Sequence, residues 1–195
     1  MDKSDFFPHS DETGSVTVLN TELMHAMSEG SEPVDERQFQ ATLREHELFL
    51  DNGGRGGAWQ TFVTSGLTLS VYSKSQTSLG KQASFLNSNL SLLNFMDKNL
   101  ECCDFTNIYC PNGRFNRANL SNSIFIDSVL INADFSDANL SGCDFSRAQM
   151  MNCCFTNANL SGCDFENCDL TNSNFMGANT AGSGFPGAKL DNVIY

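Results

Sequence analysis

From residue 85 onward a phenylalanine stands at every tenth position, from Phe85, Phe95 and Phe105 through Phe175 and Phe185, and Tyr195 takes the next place. Midway between them lie Leu90, Leu100, Leu120, Leu130, Leu140, Leu160, Leu170 and Leu190, with Cys110, Met150 and Thr180 as the exceptions. A large residue therefore recurs every fifth position. Neither the 3.6-residue turn of a helix nor the two-residue alternation of a strand gives that period. A solenoid of short, equal sides does.

Two residues before each large one the chain places a small one, as at Ala83, Ser88, Cys103, Gly113, Ala118, Ser123, Ala133, Cys143 and Ala148. If both positions point inward, large and small side chains together fill a narrow core. The other three positions, as in Ala138-Asn139-Leu140-Ser141-Gly142, are polar or small and are expected to face water. The units Ala118-Asn119-Leu120-Ser121, Ala133-Asp134-Phe135-Ser136 and Ala158-Asn159-Leu160-Ser161 resemble the A-[DN]-[LF]-x-x unit of the pentapeptide-repeat family. That resemblance implies an all-β fold, a right-handed quadrilateral parallel β-helix with four pentapeptides to each twenty-residue coil. Phenylalanines then fall on two opposite sides and leucines on the remaining two, and coils stack at about 4.8 Å.

Departures from the repeat are local. Ile108 is too large for the small site but precedes Cys110, small in the large site, so volume is conserved within one unit. Leu93 and Lys98 lack such compensation, which predicts an irregular first coil with Lys98 reaching outward. Five of the eight cysteines, Cys103, Cys143, Cys153, Cys163 and Cys168, occupy the small inward site and read as slightly enlarged alanines. No C-x-x-C pair occurs and no histidine follows His46, so zinc-site spacing is missing and no metal or cofactor is expected.

Ahead of the repeats, residues 1–35 read as an acidic, disordered tail: residues 1–36 hold nine carboxylates against Lys3 alone. Residues 36–79 read as a capping helix and short strands, and residues 80–195 as the β-helix. From Glu36 to Asp51 the spacing of Phe39, Leu43, His46 and Leu50 predicts a helix, ended by Gly53-Gly54. The run His46-Glu47-Leu48-Phe49-Leu50 followed by glycines resembles a leading element found ahead of the repeats in some pentapeptide-repeat proteins. An amphipathic helix there would cover the open first coil, with His46 as a packed core histidine. The glycine cluster lacks the Lys-Ser/Thr pair of a phosphate-binding loop. Ala58–Val63 and Leu67–Tyr72 alternate around Ser65-Gly66 and predict two strands, expected to join the sheet of the first coil.

No nucleophile has an identifiable base, since all three histidines precede the repeats, so a non-enzyme is expected. The start of the chain has no basic region followed by an apolar stretch, and a cytoplasmic protein is expected. The reading that follows is a protein-binding scaffold or adaptor. The family resemblance implies an alternative, DNA mimicry toward type II topoisomerases, DNA gyrase or topoisomerase IV, without direct nucleic-acid binding. The formal charge of −12 fits it, but residues 80–195 carry a net of only −5. For that alternative the candidate acidic stripe is Asp104, Asp144 and Asp164, with Glu166 beside it. A homodimer through the final coil, at Phe185, Leu190 and Tyr195, is the expected oligomeric state.

Overall fold

The computed structural model describes residues 32–51, 57–64, 67–74 and 83–195, the two middle segments as backbone only. The expected tail up to residue 31, including Phe6 and Phe7, lies outside the described residues, as do Gly53, Gly54 and residues 75–82.

Helix α1 spans Glu36–Asp51. Asp35 caps it, its Oδ1 accepting the Gln38 N–H at 2.8 Å, which satisfies one of the free N–H groups of the first turn. The buried stripe is Phe39, Leu43, His46 and Phe49. Phe49 is the fourth buried residue and Leu50 is half-buried, although the eleven residues from Phe39 to Leu50 complete about three turns and keep Leu50 on the same face. Strands β1 (Gly57–Thr64) and β2 (Leu67–Lys74) follow and pair antiparallel, with Thr64 opposite Leu67. They form a two-stranded sheet, and among the described residues no bridge joins it to the first coil as expected.

From residue 83 the chain repeats one five-residue unit. Parallel bridges link each residue before a large one to its counterpart twenty residues on, from Ser84↔Asp104 and Asn89↔Tyr109 to Asn174↔Ile194. Between bridges the chain turns a corner, with an i→i+3 bond such as Ala138 N to Phe135 O at 3.1 Å. At every corner but that of Leu92 the third residue has a positive φ, near +60° as at Asn132 and Asp137. Asn, Asp and Gly tolerate that region best, which explains their dominance there. Gly142 and Gly177 supply it at φ +71° and +72°.

Core packing follows the register. The phenylalanines form two columns, stacked within each column, as for Phe105–Phe125 at 4.7 Å and Phe115–Phe135 at 4.8 Å. Between columns the rings meet edge to face, as for Phe115–Phe125 at 6.0 Å and 90°. Both geometries suit the aromatic quadrupole. Ile108 and Cys110 are fully buried together, as volume conservation predicts.

The first coil keeps its bridges, and its irregularity is confined to the corner beside Leu93, where Leu92 lacks the positive φ of the other corners. Asn94 and Asn99 bridge to Arg114 and Asn119, and Leu93 is buried, with Gly113 in the same column one coil on. Lys98 is half-buried but keeps the ladder, its carbonyl accepting the Asn119 N–H at 2.9 Å. The backbone bonds need no particular side chain, so one misfit residue does not disturb the coil. Against this coil lies α1. Phe39 meets Phe85 at 5.8 Å and Phe95 at 5.2 Å, and the Val34 N–H reaches Asn89 O at 2.9 Å.

Candidate functional site

Each side of the solenoid shows two outward columns, one immediately before and one immediately after the large residue. The column before it does more than face water. Its carboxylate or amide oxygen accepts from the chain two residues on, as Asp134 Oδ1 does from Ser136 N at 2.9 Å and Ser136 Oγ at 2.6 Å. These bonds hold the outward side chains in fixed rotamers, half-buried.

Asparagines form two continuous ladders. Asn119, Asn139, Asn159 and Asn179 each donate to the asparagine of the preceding coil, beginning at Asn99, at 2.9–3.1 Å. Asn132, Asn152, Asn172 and Asn192 do the same from Asn112, at 3.0–3.2 Å. Ion pairs span the same interval: Arg117–Asp97 and Arg147–Asp127 are bidentate, and Lys189 meets Asp169 at 3.1 Å. The Arg117 side chain holds the Asp97 carboxyl below its ordinary range. At Asp169 burial acts to raise the pKa, but bonds from Thr171 and the Lys189 ammonium outweigh it and lower the net value.

The candidate acidic stripe is only partly at the surface. Asp104, Asp144 and Asp164 share one column, with Ile124 between the first two. Asp144 and Asp164 are half-buried and Glu166 is exposed. Asp104, however, is 4 % exposed and accepts from Ser84 Oγ and Thr106 N. It belongs to the packing of the first two coils and not to a surface stripe, held there by Ser84 of the coil before it. Of the proposed dimer end, Phe185 is half-buried against the core, while Leu190 and Tyr195 are 39 % and 76 % exposed.

The cysteines are packing residues. Cys143, Cys153 and Cys163 are buried and donate to Leu120 O, Leu130 O and Leu140 O at 3.0–3.1 Å, as Ser123 and Ser173 do to Leu100 O and Met150 O. Burial pushes the Cys110 and Cys163 thiols up to about 12 and Cys103, Cys143, Cys153 and Cys168 upward too, which suppresses the reactive thiolate. Among the described residues no group of three or more His, Cys, Asp or Glu is placed to hold a metal ion.

His46 is fully buried under the first coil. Its Nδ1 accepts the Ala83 N–H at 3.2 Å and its Nε2 lies 3.4 Å from Cys103 Sγ. Burial lowers its pKa to about 4, partly countered by a bond to the Glu101 backbone. It is the packed core histidine that its place on the helix predicts, and it accepts from Ala83 an N–H that in later units, such as Ala118, goes to the carbonyl three residues earlier.

Sequence reasoning missed one surface. In the coil of residues 123–141 the outward positions of two adjacent sides are Ile124, Ile126, Val129 and Ile131, while those of the other two are Asp134, Ser136, Asn139 and Ser141. The signal was there: polar residues dominate these outward positions elsewhere, and four apolar exceptions fall within eight residues.

These features define a four-sided, parallel β-solenoid of pentapeptide units. A family profile described as a pentapeptide repeat region matches residues 118–194. The crystal structure of the pentapeptide repeat protein Rfr23 from the cyanobacterium Cyanothece 51142 is similar at TM-score 0.56 and 20 % identity, covering 57 % of this chain and 90 % of that one. A pentapeptide repeat protein from the Arabidopsis thaliana thylakoid lumen is 25 % identical at TM-score 0.43, over 52 % of this chain and 68 % of that one. Full-length QnrB1, a plasmid-mediated fluoroquinolone resistance protein, is 18 % identical at TM-score 0.27, over 55 % and 70 %. Curated proteins give no match. The chain is thus similar to pentapeptide-repeat proteins over residues 118–194, and its units form the parallel β-solenoid expected from the repeat.

Proposed function

We propose that the chain is a non-catalytic protein-binding scaffold that works through the outer faces of its β-helix. The observation that carries this reading is the division of labour in each unit. The inward pair is consumed by the core, while outward side chains are left free of it and many are held in place by bonds within a unit or between coils. Such pre-ordered faces bind with little loss of side-chain entropy. In this reading α1 is a cap, supported by Phe39 over Phe85 and Phe95 and by His46 on Ala83. Affinity capture from the source cells, followed by reconstitution of the purified pair, tests the scaffold. A partner that binds the heat-unfolded chain equally well would overturn it.

A second reading, DNA mimicry toward gyrase or topoisomerase IV, is supported by the surface carboxylates Asp144, Asp164 and Glu166 and weakened by the burial of Asp104. A supercoiling assay decides it: an unmodified chain without effect removes the reading. The homodimer through Phe185, Leu190 and Tyr195 also remains a proposal. It rests on the exposure of Leu190 and Tyr195, and light scattering at about the single-chain mass would refute it.

A further inference from the structure

The coil of residues 123–141 is amphipathic around its circumference. Ile124, Ile126, Val129 and Ile131 line two adjacent sides, and the bridge Tyr109↔Val129 and the bond from Asn132 N to Met151 O continue the band into the coils on either side with Tyr109 and Met151. The fold does not require this, because the core is complete without these residues: Phe125 and Leu130 beneath them are fully buried. Nor is the band a groove. Val129 is 5 % exposed and its neighbours are half-buried, so the side chains pack laterally into a flat apolar surface. A contiguous apolar surface with no role in the core marks an interaction site, and aromatic and methionine side chains such as Tyr109 and Met151 are typical of interface centres.

Charge identifies the occupant. Ile124 bridges directly to Asp144, and Asp144 to Asp164, so the apolar band gives way to carboxylates one coil on, with Glu166 alongside. Arg147 feels Asp144 and Glu166, but its guanidinium is bound bidentately to Asp127. Lys189 is committed to Asp169. The flank is therefore anionic, in a chain of formal charge −12, which disfavours a second copy and favours a cation.

Resting on the scaffold reading, we propose that this band docks a cationic amphipathic segment of a partner protein. The segment's apolar row lies on Ile124, Ile126 and Ile131, and its lysines or arginines face Asp144, Asp164 and Glu166.

The test uses the full chain and a fluorescein-labelled Leu/Lys peptide of helical periodicity, with a scrambled peptide of equal composition and no apolar face. Anisotropy titration is expected to show binding of the amphipathic peptide, weakened at least tenfold by Ile126→Ser with Ile131→Ser, which restore the repeat's polar pattern. Asp164→Asn with Glu166→Gln should weaken it about threefold and flatten its salt dependence. Ser136→Ala with Ser141→Ala, on the opposite sides, should leave it unchanged. Melting temperatures within a few degrees of the parent establish that the variants fold. The proposal fails if the scrambled peptide binds as tightly or if the isoleucine variant binds like the parent. It also fails if the parent is a dimer that the isoleucine variant dissociates, since the band would then be a self-interface. A partner captured from cells equally by parent and isoleucine variant would sink the band while leaving the scaffold reading intact.

Discussion

Truncating Phe145 to alanine should be among the most damaging single changes in the repeats. The ring is fully buried, stacked between Phe125 at 5.0 Å and Phe165 at 5.2 Å, with Phe135 edge-on at 6.0 Å. A buried Phe→Ala change costs about 3–5 kcal/mol. Loss of three aromatic contacts places this one toward the upper end, about 4–5 kcal/mol. Because each coil touches only its neighbours, the cavity weakens two coil-to-coil interfaces at once. Ser146→Ala is a poor outward control, since Ser146 Oγ donates to Asp144 Oδ1 at 2.6 Å and its loss is expected to cost about 1 kcal/mol. Exposed Glu166 is better, and Glu166→Ala should cost under about 0.5 kcal/mol. Urea unfolding followed by circular dichroism measures both. Equal, small losses for Phe145→Ala and Glu166→Ala would refute the inward register.

His46 makes stability depend on pH. Its pKa is lowered from 6.5 to about 4 in the folded state, so the neutral form is favoured by folding, and its contribution is complete above about pH 6.5 and lost as pH falls toward 4. Up to about 3 kcal/mol should disappear across that window, and His46→Gln should flatten the slope; an unchanged slope would exclude His46 as the cause. For the thiols, native protein should label slowly at the half-buried Cys102 and Cys154 and not at the six buried ones, all eight reacting after denaturation; fast native labelling of Cys143 or Cys163 would contradict their burial. Gly142→Ala and Gly162→Ala both place alanine at φ +71°, a cost of about 1–2 kcal/mol. Only at Gly142 does the added Cβ meet Asn122 Oδ1, at 2.6 Å, so Gly142→Ala should melt lower than Gly162→Ala, and the reverse order would contradict the corner geometry.

The sequence revealed what one residue decides alone. Every phenylalanine column was legible from spacing, because an inward position in a narrow core accepts only certain volumes. The bounds of α1 were legible from the onset of helical apolar spacing at Glu36 and the glycines that follow Asp51. What escaped depends on neighbours twenty residues away. Asp104 looks like any other acidic repeat residue until Ser84, of the coil before it, is seen to hold it. Lys98 looks disruptive until its backbone is seen to keep the ladder. The partners of His46, Ala83 and Cys103, follow from how α1 lies on the coil, which no local pattern encodes. The isoleucine band was visible letter by letter, but it becomes one surface only when two sides of a coil are placed around a shared corner.

The asparagine ladders give the solenoid a direction opposed to that of its main chain. In each unit two backbone donors reach forward and one reaches back: Phe125 N and Asp127 N meet Asp144 O and Ser146 O, while Asp144 N returns to Ser123 O, so their dipoles cancel only in part along the axis. The side-chain amides do not alternate. In both ladders each Nδ2 donates toward the earlier coil, four bonds in series per ladder, all pointing the same way. Aligned amides polarise one another and sum. Each ladder therefore turns the positive end of its amides toward the first coil, against the net direction of the backbone donors beneath it.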